Sequence, residues 1–530
     1  MNEKKVLSTV KYVAGTKPIF LLSEVAAYIE GQVTAGELYR IVSPELGRLG
    51  LTARKTGEDF EISRPALPRP YLLDRDEQER TEAFLAARSI PAALDREIGR
   101  YIAKKVGRAW TDPVILGRLR QAIVAQKDDY WRPSHKRSLQ YTKGYSVLGY
   151  LAYHFPVYFM QARHLLALLA WDGLLKNEMN ILDLGTGPGV IPLAIADFWR
   201  CLDGGRATVR TVERSREHIE AFTFLTERAV PDLAAVRILP PVEADITRPD
   251  LIQTGTSDLI VFSNVLNELA GLPLAERADL VLRYADHLSP DGTILIVEPA
   301  EEASSTGLRS LSLALKKRGL TVYTPCAYLW GTNCTPDRCW SFTTAPAIHP
   351  TRIMNALAAC DEPFRYVNTD IKYSYVMLRK EGRTRYSCTV PKNTRAIRLS
   401  RIHLHAGKRV TVIAAKMSGD LGENETKIFK ICDGSAEKPV YAVLPAFHIT
   451  PANRELIAAP YGAVLEFRDV LAKYNPAHDA WNILVGRTSG ITLLPNQGDP
   501  DGPGPGAIRH PNAGQHSRKN CDLSPVVKQP

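Results

Sequence analysis

In NILDLGTGPGVIPLAIADFW, Gly185, Gly187 and Gly189 stand at G-x-G-x-G spacing just after Asp183, where a short apolar run gives way to a second one. Glycine tolerates the positive φ of a tight strand-to-helix turn and lets a ligand approach the backbone, so the pattern predicts a cofactor site at the end of a first β-strand. The helix opening at Val190 offers free N–H groups there, which suit the methionine carboxylate of S-adenosylmethionine. That cofactor has no phosphate and needs no Walker lysine. Glu213 ends the next run, TVRTVE, 24 residues beyond Gly189, where an acid accepts hydrogen bonds from both ribose hydroxyls. Asp245, in VEADIT, is read either as the partner of the adenine amino group or as a solvated turn residue. Asn264, in FSNVLNEL, is read as a ligand of the same site or as a helix cap, with Asn267 and Glu268 close behind it at the edge where substrates bind. A nicotinamide site shares the glycines, and it is the surrounding acids that favour S-adenosylmethionine.

A second group of residues calls for different chemistry. Cys326, Cys334 and Cys339 fall at C-x7-C-x4-C in TPCAYLWGTNCTPDRCWSF. Thiols this close in a reducing compartment point to metal rather than a disulfide. Zinc sites usually use tighter pairs, so the looser spacing favours an iron-sulfur cluster, with zinc and a metal-free structural cluster as alternatives. Cys388 is the expected fourth ligand, because it follows the late run KYSYVMLRK and can fold back; Cys360 and Cys432 are the other candidates. Pro325-Cys326 also matches the nucleophile dipeptide of cytosine carbon-5 methylases, although it follows the fifth strand rather than the fourth.

The elements that must position these residues are legible in the chain's texture. At 530 residues the chain exceeds one core and predicts several domains. Runs NILDLG, TVRTVE, VRILP, DLIVFSN and TILIVE alternate with helical stretches, the mark of a parallel doubly wound sheet. The predicted fold class is α/β: a Rossmann-like methyltransferase domain with an N-terminal helical region, a cysteine-rich insertion and a C-terminal OB-like β-barrel. The expected boundaries are a small, winged-helix-like module over 1–70, helices over 71–175, and the Rossmann-like domain over 176–380 with its insertion at 321–371. The barrel is expected over 401–487 and a disordered Pro/Gly-rich tail, with Cys521, over 488–530.

Charge and hydropathy narrow the function classes. Sixty-seven Lys and Arg against fifty-seven Asp and Glu give +10, a balance that favours an anionic partner such as RNA. Lys408, Arg409 and Lys416, at the start of the barrel, are expected on an RNA-facing surface. No run approaches the ~18 apolar residues of a membrane span, and the start lacks a signal-peptide pattern, so a soluble, cytoplasmic protein is expected. The absence of G-x-x-x-x-G-K-[ST], H-E-x-x-H and G-x-S-x-G removes the nucleotide triphosphatase and common hydrolase readings. The N/D-P-P-Y/F/W motif of exocyclic-amine methylases is absent as well, so the acceptor atom stays unassigned.

YSVLGYLAYHFPVYF, DLGTGPG, FSNVLNEL, the segment ending CWSF, and KYSYVMLRK occur in this order between about Tyr145 and Lys380. In that order they resemble the ribosomal small-subunit methyltransferase-like family of bacteria, archaea and mitochondria. The resemblance implies association with the small ribosomal subunit or its RNA and cofactor contacts at Gly185, Gly187, Gly189 and Glu213. It also implies a 4Fe-4S cluster on Cys326, Cys334 and Cys339. The chain departs from the family's C-P-H and W-C-H-F segments, reading Cys326-Ala327-Tyr328 and Cys339-Trp340-Ser341-Phe342, so the fourth ligand does not carry over. The expected function is S-adenosylmethionine-dependent methylation of small-subunit RNA, with a non-catalytic assembly factor and a small-molecule methyltransferase as the rivals.

Overall fold

The computed structural model describes residues 3–494, except 18, 30–32, 50, 64–69, 132–143, 230–233, 253–254, 270, 362–363, 389 and 391–393. The chain begins with α1 (Glu3–Thr16), whose Val6, Val10 and Val13 recur every three to four residues and form one buried stripe. Then come β1 (Ile19–Leu21), α2 (Leu22–Ala26), α3 (Ala35–Val42), α4 (Leu46–Leu49), β2 (Thr52–Thr56) and β3 (Asp59–Ser63), with sheet order β1-β3-β2. Thr34 fixes the start of α3, its hydroxyl accepting from the Glu37 N–H while the Glu37 carboxylate accepts from the Thr34 N–H.

Five helices lead to the main sheet: α5 (Arg75–Ala86), α6 (Ala92–Val106), α7 (Pro113–Trp131), α8 (Tyr145–Tyr153) and α9 (Phe155–Trp171). From Phe155 to Ala170 almost every residue of α9 is buried, as its all-round apolar sequence requires.

The α/β domain comprises β4 (Glu178–Leu184), α10 (Val190–Phe198), β5 (Arg206–Glu213), α11 (Arg216–Ala229), β6 (Val236–Ile238), β7 (Val242–Glu243) and β8 (Ser257–Ser263). It continues through α12 (Leu274–Ala285), β9 (Leu288–Pro299), α13 (Glu302–Lys317), β10 (Thr321–Thr324), β11 (Thr343–Ala345), α14 (Arg352–Ala358) and β12 (Ile371–Arg379). The strand order is β10-β12-β9-β8-β4-β5-β6, parallel from β9 to β6 and antiparallel at β12. Alternation builds two cores. Ile181, Leu259, Val261, Leu295 and Val297 face the layer containing α9 and α10, and Leu182, Leu184, Ile260, Phe262 and Ile296 face the layer of α12 and α13. The order reverses on either side of β4, so a crevice opens at the carboxyl ends of β4, β5 and β8.

The last unit has β13 (Arg409–Lys416), β14 (Thr426–Cys432), β15 (Val440–Pro445), α15 (Glu455–Ala458), β16 (Val464–Asn475), β17 (Ala480–Leu484) and β18 (Gly490–Leu493). The first five strands close into a barrel of order β13-β14-β15-β17-β16, with β16 pairing back to β13 and β15 parallel to β17. The barrel is therefore longer than the sequence reading allowed. Gly490–Leu493 adds a strand to β16 where a disordered tail was expected, because Ile491 buries against the core. The rest of that expected tail, with Cys521, lies outside the described residues.

The barrel docks on the α/β domain through the chain between β10 and β12. The buried Ser341 hydroxyl donates to Met417 O at 2.8 Å, and the Ser374 hydroxyl of β12 donates to Ser341 O at 2.9 Å. A buried ion pair, Arg385 Nε to Asp172 at 2.8 Å, ties the segment after β12 to the end of α9. Among the described residues no helix is long and apolar enough to cross a membrane.

Candidate functional site

Gly185, Gly187 and Gly189 link β4 to α10 and all have positive φ, at 72°, 55° and 93°. At Gly185 space matters as much as conformation, because a Cβ there would lie 2.6 Å from Val265 Cγ2. The N–H groups of Gly185 and Thr186 both donate to Val212 O, at 2.9 and 3.0 Å, which pins the turn against β5. Glu213, at the end of β5, reaches back across it. Its carboxylate accepts from the Gly187 N–H at 2.9 Å and the Ser215 N–H at 2.8 Å. One acid thus holds both walls of the crevice and keeps lone pairs for hydroxyl donors.

Asp183 is 1% exposed, and the Thr186 side chain is the hydrogen-bonding neighbour of its carboxylate. Burial pushes its pKa up to about 7. A buried acid with so little support under a glycine turn is what a site for an ammonium-bearing ligand would contain, since under-satisfied buried polar groups are costly. Asn264 follows β8 in the left-handed region, φ 54°, with its N–H donating to Val297 O at 2.8 Å and its Oδ1 buried without a partner. Asp245 is half-buried and uses one oxygen locally, accepting from the Thr247 N–H at 2.9 Å and hydroxyl at 2.8 Å. It closes its own turn and keeps its other oxygen.

Sequence reasoning missed Glu298. It ends β9, is buried, accepts from the Asn267 N–H at 3.2 Å and leaves its second oxygen without a partner. Burial lifts its pKa to about 8. The signal was in TILIVE, whose closing acid occupies the same place on its strand that Glu213 occupies on β5. Asp183, Asn264, Asn267 and Glu298 together give the carboxyl edge of β4, β8 and β9 a set of buried, under-satisfied polar atoms.

A second site lies at the docking surface of the barrel. Cys326, Cys334 and Cys339 line a cavity with Cys432, Arg309, Tyr328, Met417 and Gly434. Three of the thiols come from the chain between β10 and β11, and the fourth ends β14 of the barrel. Cys388, the expected fourth partner, does not line this cavity and packs against the barrel core instead; Cys360, at the end of α14, donates to Leu357 O at 3.4 Å. The reason is tertiary. The Trp330 backbone N–H donates to Asp433 O at 3.1 Å, which brings the end of β14 over the cysteine segment. Burial pushes the thiols of Cys326 and Cys432 up and that of Cys334 up to about 11. Arg309, 2% exposed, brings a permanent positive charge to the cavity, with Nη1 4.0 Å from Cys326 Sγ and Nη2 bonded to Ser374 Oγ and Tyr375 O at 2.7 Å. As the side chains stand, no group of three or more His, Cys, Asp or Glu among the described residues is placed to hold a metal ion.

The cationic surface expected on the barrel divides. Lys408 and Arg409 are exposed, Arg409 pairing with Asp469 at 3.0 Å. Lys416 is not on the surface. It is 5% exposed, its ammonium donates to Ile457 O at 3.1 Å and Ala459 O at 2.7 Å, and burial pushes its pKa down to about 7. It belongs to the barrel's interior because it sits on the inward face of β13 beside Phe429.

No curated protein matches the chain. Among solved structures, the mitomycin 7-O-methyltransferase MmcR is 17% identical, covering 71% of this chain and 94% of its own, with a TM-score of 0.27. A Leishmania major S-adenosylmethionine-dependent methyltransferase is 15% identical, with coverages of 51% and 85% and a TM-score of 0.27. Aeropyrum pernix fibrillarin, solved with natively bound S-adenosylmethionine, is 16% identical, with coverages of 40% and 73% and a TM-score of 0.22. Residues 3–56 and 400–494 match the N-terminal and C-terminal domains of a family described as a domain of unknown function, DUF8157. Residues 144–433, just over half of the sequence, match the family described as mitochondrial small ribosomal subunit Rsm22, and the chain belongs to that family.

Proposed function

We propose that this protein is an S-adenosylmethionine-dependent methyltransferase acting on RNA of the small ribosomal subunit. The observation that carries the reading is Glu213, an acid held against the glycine turn at the point where the strand order reverses and left with unused lone pairs. In this reading Glu213 grips the ribose, Asp183 and the N–H groups opening α10 receive the methionine end, and Asp245 and Asn264 border the adenine. When bound, the cofactor supplies an electrophilic methyl group. Glu298 and Asn267, each with a buried oxygen that lacks a partner, would border the acceptor. Membership of a small-subunit family and the chain's +10 charge support the choice of RNA.

The four thiols around one cavity support an iron-sulfur cluster held by Cys326, Cys334, Cys339 and Cys432. Zinc, which draws its sulfurs to about 2.3 Å from one point, is the alternative, and metal analysis distinguishes the two. Arg309 would offset the charge of the thiolates. The barrel's order, with a short helix between the third and fourth strands, supports an OB-like identity, and the order of helices and strands before residue 64 supports a winged-helix module.

The test is to incubate protein purified without air with small ribosomal subunits and methyl-labelled S-adenosylmethionine. Label in the RNA, lost in Glu213→Ala, is expected. Cofactor binding by calorimetry with no label in RNA would overturn catalysis, and absence of cofactor binding would overturn the site itself.

A further inference from the structure

Between Glu381 and Asp420 the sequence contains no acidic residue, while it carries nine Lys and Arg. Two of the nine are internal, since Arg385 is paired with Asp172 and Lys416 is buried in the barrel. Of those on the outside, Arg395, Arg398, Arg401 and Lys408 are exposed and form no ion pair among the described residues. Arg409 is matched by Asp469, and elsewhere many of the chain's exposed cations are matched too, as Lys438 is by Asp479 and Arg352 by Asp95.

The segment that bears them is a fixed strap. The Ile397 N–H donates to Thr411 O at 2.9 Å, the Leu399 N–H to Asp433 Oδ2 at 2.8 Å and the Gly407 N–H to Ala472 O at 2.8 Å. Between these ties Leu399–His405 is a 3₁₀ helix whose Leu399 and Ile402, three apart, are both buried at 2% exposure. Side chains three apart eclipse in such a helix, so its outer row is Arg401 and the 61% exposed Leu404. Within the helix the rise sets Arg401 and Leu404 about 6 Å apart along the axis, while Arg398 is its extended N-cap and Arg395 lies in the chain that leads into it. Arg398 also stands 4.7 Å over the Trp330 ring, which holds its guanidinium in place beside the cysteine segment. Two acids of the barrel are engaged by other groups, Asp433 by the Leu399 and Ser435 N–H groups and Asp469 by Arg409 and Thr488.

We propose that this strap, Arg395 to Lys408, is a phosphate-tracking surface that binds an extended strand of RNA. The proposal rests on the RNA reading above and gives it a place on the molecule. RNA is favoured because the strap combines exposed cations that form no ion pair among the described residues with an arginine already placed over an aromatic ring and an exposed apolar side chain, the elements that hold single strands.

The experiment measures the affinity of the full-length protein for small-subunit RNA and for a uridine oligomer across a range of salt. Each lost phosphate contact flattens the log–log salt slope by about 0.7 for a single strand. Arg395→Ala/Arg398→Ala/Arg401→Ala is therefore expected to flatten it by about 2 and to weaken binding in 0.1 M salt by about two orders of magnitude. The triple lysine variant, which keeps the charge, should restore the slope, which separates lost contacts from lost folding. Alanines at Arg237, Arg283 and Lys317, exposed on the α/β domain, should leave it unchanged. Equal slopes in wild type and triple alanine variant would overturn the strap while leaving RNA binding intact. Wild-type protein without RNA affinity would overturn the RNA reading itself. Loss of binding to an acidic small-subunit protein, with RNA binding unaltered, would reassign the strap to a protein partner.

Discussion

Replacing Glu213 by alanine should disturb two things that calorimetry and unfolding can separate. The carboxylate accepts the N–H groups of Gly187 and Ser215, so its removal leaves two donors that only crevice water can serve. Glu213 is 7% exposed and each buried orphan costs about 1–3 kcal/mol, so the lower bound for the pair is about 2 kcal/mol in all. For a domain of this size that lowers Tm by about 4–8 °C. Binding loses more. Two charge-assisted bonds to ribose hydroxyls, at about 1.5 kcal/mol or more each, amount to over 100-fold in the Kd for S-adenosylmethionine. Glu213→Gln keeps one acceptor and gives up the charge, so it should fall between, with a Kd about 10-fold above wild type. The decisive result is the split between the two readouts. A lowered Tm with an unchanged Kd would make Glu213 a brace for the turn and refute its role as the ribose ligand.

Other consequences are equally open to measurement. Cys432→Ser should abolish brown colour and iron in protein purified without air, whereas Cys388→Ser should retain both; stoichiometric zinc without iron or sulfide in the wild type would refute the cluster. Gly185→Ala forces a left-handed alanine against Val265 and should cost about 2–3 kcal/mol. Adding Val265→Ala should return the steric part, and strictly additive losses in urea unfolding would show that the contact is not the cause. Burial raises the Glu298 pKa from its ordinary 4.5 to about 8, so the folded protein resists ionisation that the unfolded chain undergoes. The stability this acid allows is complete below about pH 4.5 and declines as pH rises, by at most about 1.4 kcal/mol per unit, until it levels off above about pH 8. Glu298→Gln lacks that decline, so the variant should gain on wild type between pH 5 and 8; a constant difference across that window would be inconsistent with a buried neutral acid. Removing Asp172 by Asp172→Ala strands the Arg385 guanidinium and should cost about 3–5 kcal/mol in denaturant unfolding.

Local chemistry was legible in the sequence wherever it is written in consecutive residues. The glycine turn had to follow a strand because only glycine accepts three positive φ values within five residues, and Glu213 could be placed because strand, turn and helix recur at a fixed interval in a doubly wound sheet. The barrel could be expected from a succession of short β-rich runs, although its faces could not, since β13 is buried at every residue from Val412 to Lys416. What sequence could not supply depends on which surfaces meet. Lys416 looked like a surface cation, yet it is buried, because this end of β13 is covered on both faces. Glu298 looked like the end of one more strand until neighbouring strands brought its carboxyl beside Asn267. Cys388 was the nearer cysteine in sequence, but Cys432 lines the cavity, because the barrel docks with the end of β14 against the loop that follows β10. A side chain's type and its strand or helix are set locally, by sterics and by hydrophobic period. Its partners across domains are set by how separately buried surfaces pack, and no spacing along the chain records that.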